Sequence, residues 1–290
     1  MGRRGFTLVE LLVALALLGI VSVSIYRVLV GNQRMYHAQT QRIELQESIR
    51  AAATILPAEF RELAATEGDI YAMSATEIRM RAMRQFDVLC RAPVLGGGTG
   101  GLGITLFRDL HNGPTIVVGD SLLVYYEGDE LSRSDDSWVT AVVTGVSGSA
   151  TCPDGVTPGV AVTVTLVNFP TPPQVNRAGA IPAGGPARGF DGVRYALYQS
   201  GTDDLWYLGL DVQAGGIQPL IGPLSGSDGL TLTYFNGGGA ITAVPDSVAM
   251  IEIRLRGRTA DPVQGAQGGG LRYPVDSVVT RVTLRNNRRF

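Results

Sequence analysis

The stretch Gly5-Phe6-Thr7-Leu8-Val9-Glu10-Leu11-Leu12-Val13-Ala14-Leu15-Ala16-Leu17-Leu18-Gly19-Ile20-Val21 decides how the rest of the chain is read. Between Phe6 and Tyr26 the only charged side chain is that of Glu10, and Leu11 to Val21 contains no polar side chain. At ~1.5 Å per residue a helix of that length spans about 31 Å, the thickness of a bilayer core. Arg3 and Arg4 precede the span and Arg27 follows it. With the initiating amine added to the leader, the positive-inside tendency favours a cytoplasmic N-terminus and puts residues 28–290 outside the cytoplasm. An ordinary secretory signal has a shorter apolar region ending in an Ala-x-Ala-like cut site, whereas this span runs into Ser22-Val23-Ser24-Ile25-Tyr26-Arg27.

Glu10 is the odd residue of the span. An acid such as Asp costs roughly 2.5 to 3.5 kcal/mol at the centre of a membrane helix, so a carboxylate near the membrane edge needs something to neutralise it. A cut between Gly5 and Phe6 would create an α-amine one helical turn before Glu10, within reach of its carboxylate in the same chain or in a neighbour. Such pairing turns a burial cost into an assembly signal.

These residues resemble the type IV pilin and type II secretion pseudopilin superfamily, whose precursors carry a basic leader ending in Gly, then Phe-Thr-Leu-hydrophobic-Glu. The resemblance implies that residues 1–5 are a leader peptide, that a membrane prepilin peptidase cuts after Gly5, and that it N-methylates Phe6. It also implies that Glu10 recruits the subunit by meeting the N-terminal amine of its neighbour. Residues 6–26 then serve as transmembrane and assembly helix, with other pilins or pseudopilins and the cytoplasmic membrane as partners. The expected location is a single pass in the bacterial cytoplasmic membrane with the head outside, and later a pilus or pseudopilus. Many major pilins have a proline near the end of the span, where this chain has Arg27.

Outward from the span, Leu45, Ile49, Ala52, Leu56, Phe60 and Leu63 are spaced in steps of three and four, one face of a helix over 27–65 that should pack on a sheet. Pro57 is expected to kink it. After Gly68 the pattern changes to short β-branched, alternating runs at 76–83, 115–126, 137–146, 158–167, 192–199, 204–212, 229–235, 247–257 and 275–285. With 38 Gly, 15 Pro and only 17% charged residues, the head at 66–290 is expected to be β-rich. The expected class is α+β: a long N-terminal helix on a mainly antiparallel β-sheet head. The Pro/Gly-rich segment 168–189 breaks both periodicities and reads as a long surface loop or a hinge between two sheet lobes.

Within the superfamily the chain looks most similar to the J-type pseudopilins and the W-type minor pilins. The residues behind this are Tyr26-Arg27-Val28-Leu29, Gly229-Leu230-Thr231-Leu232-Thr233-Tyr234-Phe235-Asn236 and Val282-Thr283-Leu284-Arg285-Asn286. By resemblance small major pilins are roughly half this length, and a bulky head suits a tip. The expected function is a minor pilin or pseudopilin that primes or caps a filament near its tip. The alternative is a tip-displayed adhesin or DNA-binding module on a pilin stem. In the resembling family one tip member lacks the glutamate, and the presence of Glu10 argues against that role.

Other candidates carry less. Cys90 and Cys152 are the only cysteines, and their separation of 62 matches no zinc or redox motif. They read as a disulfide in an oxidising compartment or as two buried thiols far apart. Gly96-Gly97-Gly98-Thr99-Gly100-Gly101 formally contains G-x-G-x-x-G, but strand-like Leu102-Gly103-Ile104-Thr105-Leu106-Phe107 stands where a nucleotide site needs a helix. No Lys occurs in the chain, which excludes an ordinary P-loop. His37 and His111 are the only histidines, and neither H-E-x-x-H nor G-x-S-x-G is present. His37 is expected on the helix surface and His111 in a turn. Glu127, Asp129, Glu130, Asp135 and Asp136 read as a solvated hairpin tip, since their spacing is not that of an EF-hand. Arg281, Arg285, Arg288 and Arg289 read as a solvated basic tail. A net charge of −2 gives no global attraction to nucleic acid, so DNA or a surface ligand as partner of the head rests on no motif. No catalytic residue, metal ligand or cofactor site is expected.

Overall fold

The computed structural model describes residues 7–95, 101–127, 136–168, 181–264 and 270–285. Among the described residues one α-helix, α1 (Leu8–Arg61), is followed by fourteen strands. These are β1 (Ile70–Met73), β2 (Glu77–Leu95), β3 (Gly101–Phe107), β4 (Ser121–Tyr126), β5 (Ser137–Thr151), β6 (Pro158–Asn168) and β7 (Pro186–Gln199). Then come β8 (Trp206–Val212), β9 (Gln218–Leu224), β10 (Leu230–Asn236), β11 (Val248–Arg258), β12 (Val263–Gln264), β13 (Leu271–Arg272) and β14 (Val275–Thr283). Every strand pairing among the described residues is antiparallel. The fold is α+β: a long N-terminal helix followed by a large antiparallel head.

The helix runs on through Pro57, whose ring offers no N–H to the carbonyl of Ala53, and ends at Arg61, short of the expected 65. Beyond it the backbone is held by local bonds. The Leu63 N–H donates to the Phe60 carbonyl, and the Ala64 N–H donates to the buried carboxylate of Asp69 at 2.8 Å. The expected strand over 115–126 starts only at Ser121. There the Asp120 carboxylate accepts the Val117 N–H at 2.8 Å and Gly119 adopts a φ of 101°, so the chain turns before it pairs. At the other Pro-rich segment, β7 begins at Pro186, inside 168–189; residues 169–180 of that segment lie outside the described residues.

Two cores share strands β2 and β7. In the first, Ile78, Met80 and Ala82 of β2 and Val193 and Tyr195 of β7 join side chains of β8 to β11 and β14 under α1. The second lies inside a ring. β2 pairs β3, β3 pairs β6, β6 pairs β5, β5 pairs β4, β4 pairs β7, and β7 pairs β2 again. Six strands thus close a small barrel, which leaves no free edge along that circuit. Its interior is filled by alternate residues, Leu102, Ile104 and Leu106 of β3, Val139, Ala141 and Val143 of β5, and Val162 and Val164 of β6.

A single extra residue lets one strand serve both cores. The β2–β7 register slips between Met83 and Gln85, which leaves Arg84 as a bulge. Before it the even residues Ile78, Met80 and Ala82 are buried; after it the odd residues Gln85, Asp87 and Leu89 are. Because strand side chains alternate with period two, one inserted residue moves the inward set to the other parity.

The stripe on α1 packs as its spacing predicts. Leu45, Ile49, Ala52, Leu56 and Phe60 are buried, and Leu63 is buried just past the helix end. The Phe60 ring meets Tyr195 edge-on, centroids 6.1 Å apart. At the upstream end of the stripe the helix rests on Gly257 of β11. A Cβ built there would sit 2.7 Å from Leu45 Cδ1 and 3.0 Å from Ile49 Cδ1, so only a glycine admits this approach. Ser48 Oγ donates to the Gly222 carbonyl at 3.1 Å, which ties the helix to β9.

Candidate functional site: the assembly helix and its N-terminus

The N-terminus of α1 is built by two residues that answer each other. Thr7 is extended at the N-cap, and its Oγ1 accepts the Glu10 N–H at 3.3 Å. The Glu10 carboxylate in turn accepts the Thr7 N–H and the Thr7 hydroxyl, each at 3.0 Å. This reciprocal capping box satisfies orphan backbone donors of the first turn and places a negative charge at the positive end of the helix dipole. Glu10 therefore has a local partner in the uncut chain. Gly5 and Phe6, the expected cleavage and methylation positions, lie outside the described residues.

Downstream of the cap the helix carries apolar side chains on all sides. Within Leu8–Arg61 an 18-residue window reaches a mean hydropathy of 2.6, and none of it is buried inside the protein. Leu8 is 76% exposed and Val28 is 64% exposed, with Leu and Val between them similarly open. The helix is long and apolar enough to cross a membrane. Burying a single Leu or Val side chain is worth about 1.5–3 kcal/mol, so a surface of this size needs lipid or other apolar helices around it. One polar group along it is handled internally: Ser24 Oγ donates to the Ile20 carbonyl at 2.9 Å. Gly19 has no atom within 4 Å of its Cβ position, which leaves a small notch on the span.

Elsewhere, Cys90 in β2 and Cys152 just after β5 are joined, with Cα atoms 5.6 Å apart and both side chains buried. His37 is exposed on α1, its Nε2 4.0 Å from Asp261. Gly101 opens β3, so the glycine run leads into a strand; residues 96–100 lie outside the described residues. Of the acidic run, Asp129, Glu130 and Asp135 lie outside the described residues, and Glu127 and Asp136 flank them. Arg281 is no part of a free tail. It sits in β14 and donates to Glu252 of β11 at 2.7 Å, while the Arg285 N–H donates to the Arg61 carbonyl. Arg288 and Arg289 lie outside the described residues. Among the described residues no group of three or more His, Cys, Asp or Glu side chains gathers as a metal site.

The arrangement that spacing did not expose is a pair at the barrel end, a half-buried histidine on a buried acid. His111 does lie in a turn, its N–H donating to the Arg108 carbonyl, but its Nδ1 also stands 2.8 Å from the Asp87 carboxylate, which is only 1% exposed. Burial pushes the Asp87 carboxyl up, and the hydrogen bonds from His111 and Gln85 oppose that rise. The one available signal was the acid itself, Asp87, set between Phe86 and Val88-Leu89 in a strand pattern.

The match with known families falls on the N-terminal end of the chain. Residues 1–26 match the prokaryotic N-terminal methylation motif. No curated protein and no solved structure matches the chain. A motif of this kind implies processing by a prepilin peptidase and assembly with other pilins, and it fits a membrane-anchored helix such as α1. The chain carries a prepilin-type methylation signal at the head of one long apolar helix, which supports a place in the type IV pilin and pseudopilin superfamily.

Proposed function

We propose that the protein is a minor pilin or pseudopilin of the W-type or J-type kind, a structural subunit that primes or caps a filament near its tip. The prepilin peptidase cuts between Gly5 and Phe6 and methylates the Phe6 amine, and Glu10 then exchanges its bonds with Thr7 for the amine of a neighbouring subunit. Residues 6–26 hold the chain in the cytoplasmic membrane before assembly and pack among other helices after it.

The observation that carries this reading is the division of α1. Its first burial in the head is at Leu45, whereas Leu8 to Leu29 present apolar side chains that the head does not cover. A helix made to be buried only by other molecules is what a filament subunit requires. The head is large for a repeating fibre unit, which favours a position where few copies are needed. The joined Cys90 and Cys152 suit an extracytoplasmic head, since such bonds persist in oxidising compartments.

Intact-mass analysis of the membrane-extracted chain tests the proposal. A chain beginning at N-methylated Phe6 is expected. One beginning at unmodified Met1, or cut near Ser24, would sink it. Deleting the gene separates the two machines: loss of surface filaments marks a pilus, and loss of exported proteins marks a secretion pseudopilus.

A further inference from the structure

The fold closes its sheet edges unevenly. The barrel has no free edge along its circuit, and β10 is covered beyond its pairing with β11: the Leu232 N–H donates to the Ala75 carbonyl and the Thr242 N–H to the Tyr234 carbonyl. Strand β14, nine residues long, pairs with β11 alone among the described residues. Which of its main-chain groups point outward follows from β11. The Arg256 N–H donates to the Gly229 carbonyl and its carbonyl accepts the Ser225 N–H, so Arg256 bonds on the side away from β14. Its partner Ser277 therefore turns its own N–H and carbonyl away from β11, and in an unbroken register so do Val275, Val279, Arg281 and Thr283. The Ser277 N–H is held by the Asp276 carboxylate at 2.8 Å. The outward main-chain groups of Val279 and Arg281 stay unpaired among the described residues, and Val279 is 51% exposed. An open edge of this length is a template for another strand.

Two hollows of about 500 and 190 Å³ follow this edge. They meet at Gln46 and Asp276, and so form one groove with α1 as one wall and Val275 to Val278 as the other. The helix wall is basic. Arg42 and Arg50 line it, both are exposed, and neither forms an ion pair among the described residues. Asp276, the acid among the lining residues, is turned to the Ser277 N–H. On a strand added along β14, residues opposite Asp276, Val278 and Thr280 direct their side chains to the α1 face, and the residues between them direct theirs to the outer face. An acid in the first set meets Arg42 or Arg50, and an apolar residue in the second covers Val275 or Val279. A second copy is a poor occupant. Two β14 strands paired antiparallel are related by a two-fold axis normal to the sheet. That axis sets the two α1 helices in opposite directions, so both spans cannot enter one membrane from the same side.

We infer that the β14 edge receives an extended segment of a different filament subunit, one that alternates acidic side chains toward α1 with apolar side chains toward the outer face. Main-chain bonds to Val279 and Arg281 hold the segment, and the arginines of α1 set its register. The groove is walled by the same helix whose upstream part is left for other molecules to cover, so strand addition locks together the heads of subunits whose helices pack side by side. The inference rests on the filament reading, yet it can fail alone, because a subunit can also assemble through α1 without any strand addition.

Photo-cross-linking in whole cells tests it, with the full chain produced in place of the natural copy and p-benzoylphenylalanine replacing Val279. The expected result is a cross-link to one other chain that itself begins at an N-methylated residue, mapped to a segment of alternating acidic and apolar residues. V279P removes one outward N–H without touching the β11 ladder. It should leave the mature N-terminal mass and the melting of the head unchanged and lower incorporation into filaments about tenfold, the worth of one hydrogen bond. R50E reverses the charge of the helix wall on an exposed surface and should lower the cross-link yield about two- to fivefold, the worth of a surface ion pair. A cross-link to a second copy, to lipid or to no chain, a cross-linked segment without acids, or normal incorporation of V279P overturns the inference. Should V279P melt lower, the R50E yield decides, and an undiminished yield overturns it. A chain that still begins at Met1 overturns the filament reading instead.

Discussion

At the scale of single residues, Glu10 is the side chain whose meaning depends least on the head. Its bonds to Thr7 cap one helix, and its charge is what an apolar span does not otherwise tolerate. Glu10→Ala should leave membrane insertion intact, since it makes the span more apolar, and should lower filament incorporation at least about tenfold, the worth of one charge-assisted hydrogen bond. Pull-down with other filament subunits measures it, and normal incorporation removes Glu10 from the assembly role. Glu77 gives a different, pH-dependent expectation. Hydrogen bonds from Arg194 at 2.7 Å and from Arg79 hold its carboxyl below the ordinary 4.5. A carboxyl lowered in the folded state adds stability that is present above 4.5 and is lost as pH falls through the lower folded value. Glu77→Gln should therefore flatten the loss of thermal stability below pH 4.5 relative to the unaltered chain. Asp69 and Asp87 are raised by burial and act in the opposite sense, so the comparison has to be made on the single variant. Glu10 could be read from sequence because its neighbours are all apolar; the pairing of Asp87 with His111 could not, because it joins a strand to a turn across the barrel end.

At the scale of elements, α1 docks through a narrow strip of contacts. Phe60 is fully buried, and Phe60→Ala should cost about 3–5 kcal/mol, read as a lower denaturation midpoint of the head. Gly257→Val tests the other end of the strip. Its branched side chain would enter the space held by Leu45 and Ile49, so the expected result is faster hydrogen exchange over residues 45–52 with the barrel core unaffected. The stripe was legible in the sequence because a helix reports its buried face every three or four residues. Strand β9 was not. Pro219, Gly222 and Pro223 break the alternation over Gln218–Leu224, which is absent from the expected strand runs, yet Trp206↔Leu224 and Leu208↔Ile221 pair it to β8 and Gly257↔Leu224 to β11. Partners on both sides supply what local propensity does not.

At the scale of the whole molecule, the head has two cores and a covalent tie in one of them. Cys90 and Cys152 close a loop that contains β3, β4 and β5, all within the barrel. Replacing both by Ser should lower stability by about 4 kcal/mol, the loop-closure entropy returned to the unfolded chain. Chemical denaturation monitored at Trp138, whose ring lies against Tyr125 in the barrel wall, is the measurement. Sequence alone determined the apolar helix, its charged exception at Glu10 and the face by which it docks, since each is a pattern between near neighbours on one helix. It also indicated that the head would be antiparallel sheet. Only the tertiary structure decided that β2 and β7 serve two cores, that the bulge at Arg84 switches the buried parity between them, and that six strands close into a ring. Those features are set by pairings between residues far apart in the chain, such as Ser121 with Phe190 and Ile78 with Tyr195, where register and closure are global properties that no local window contains.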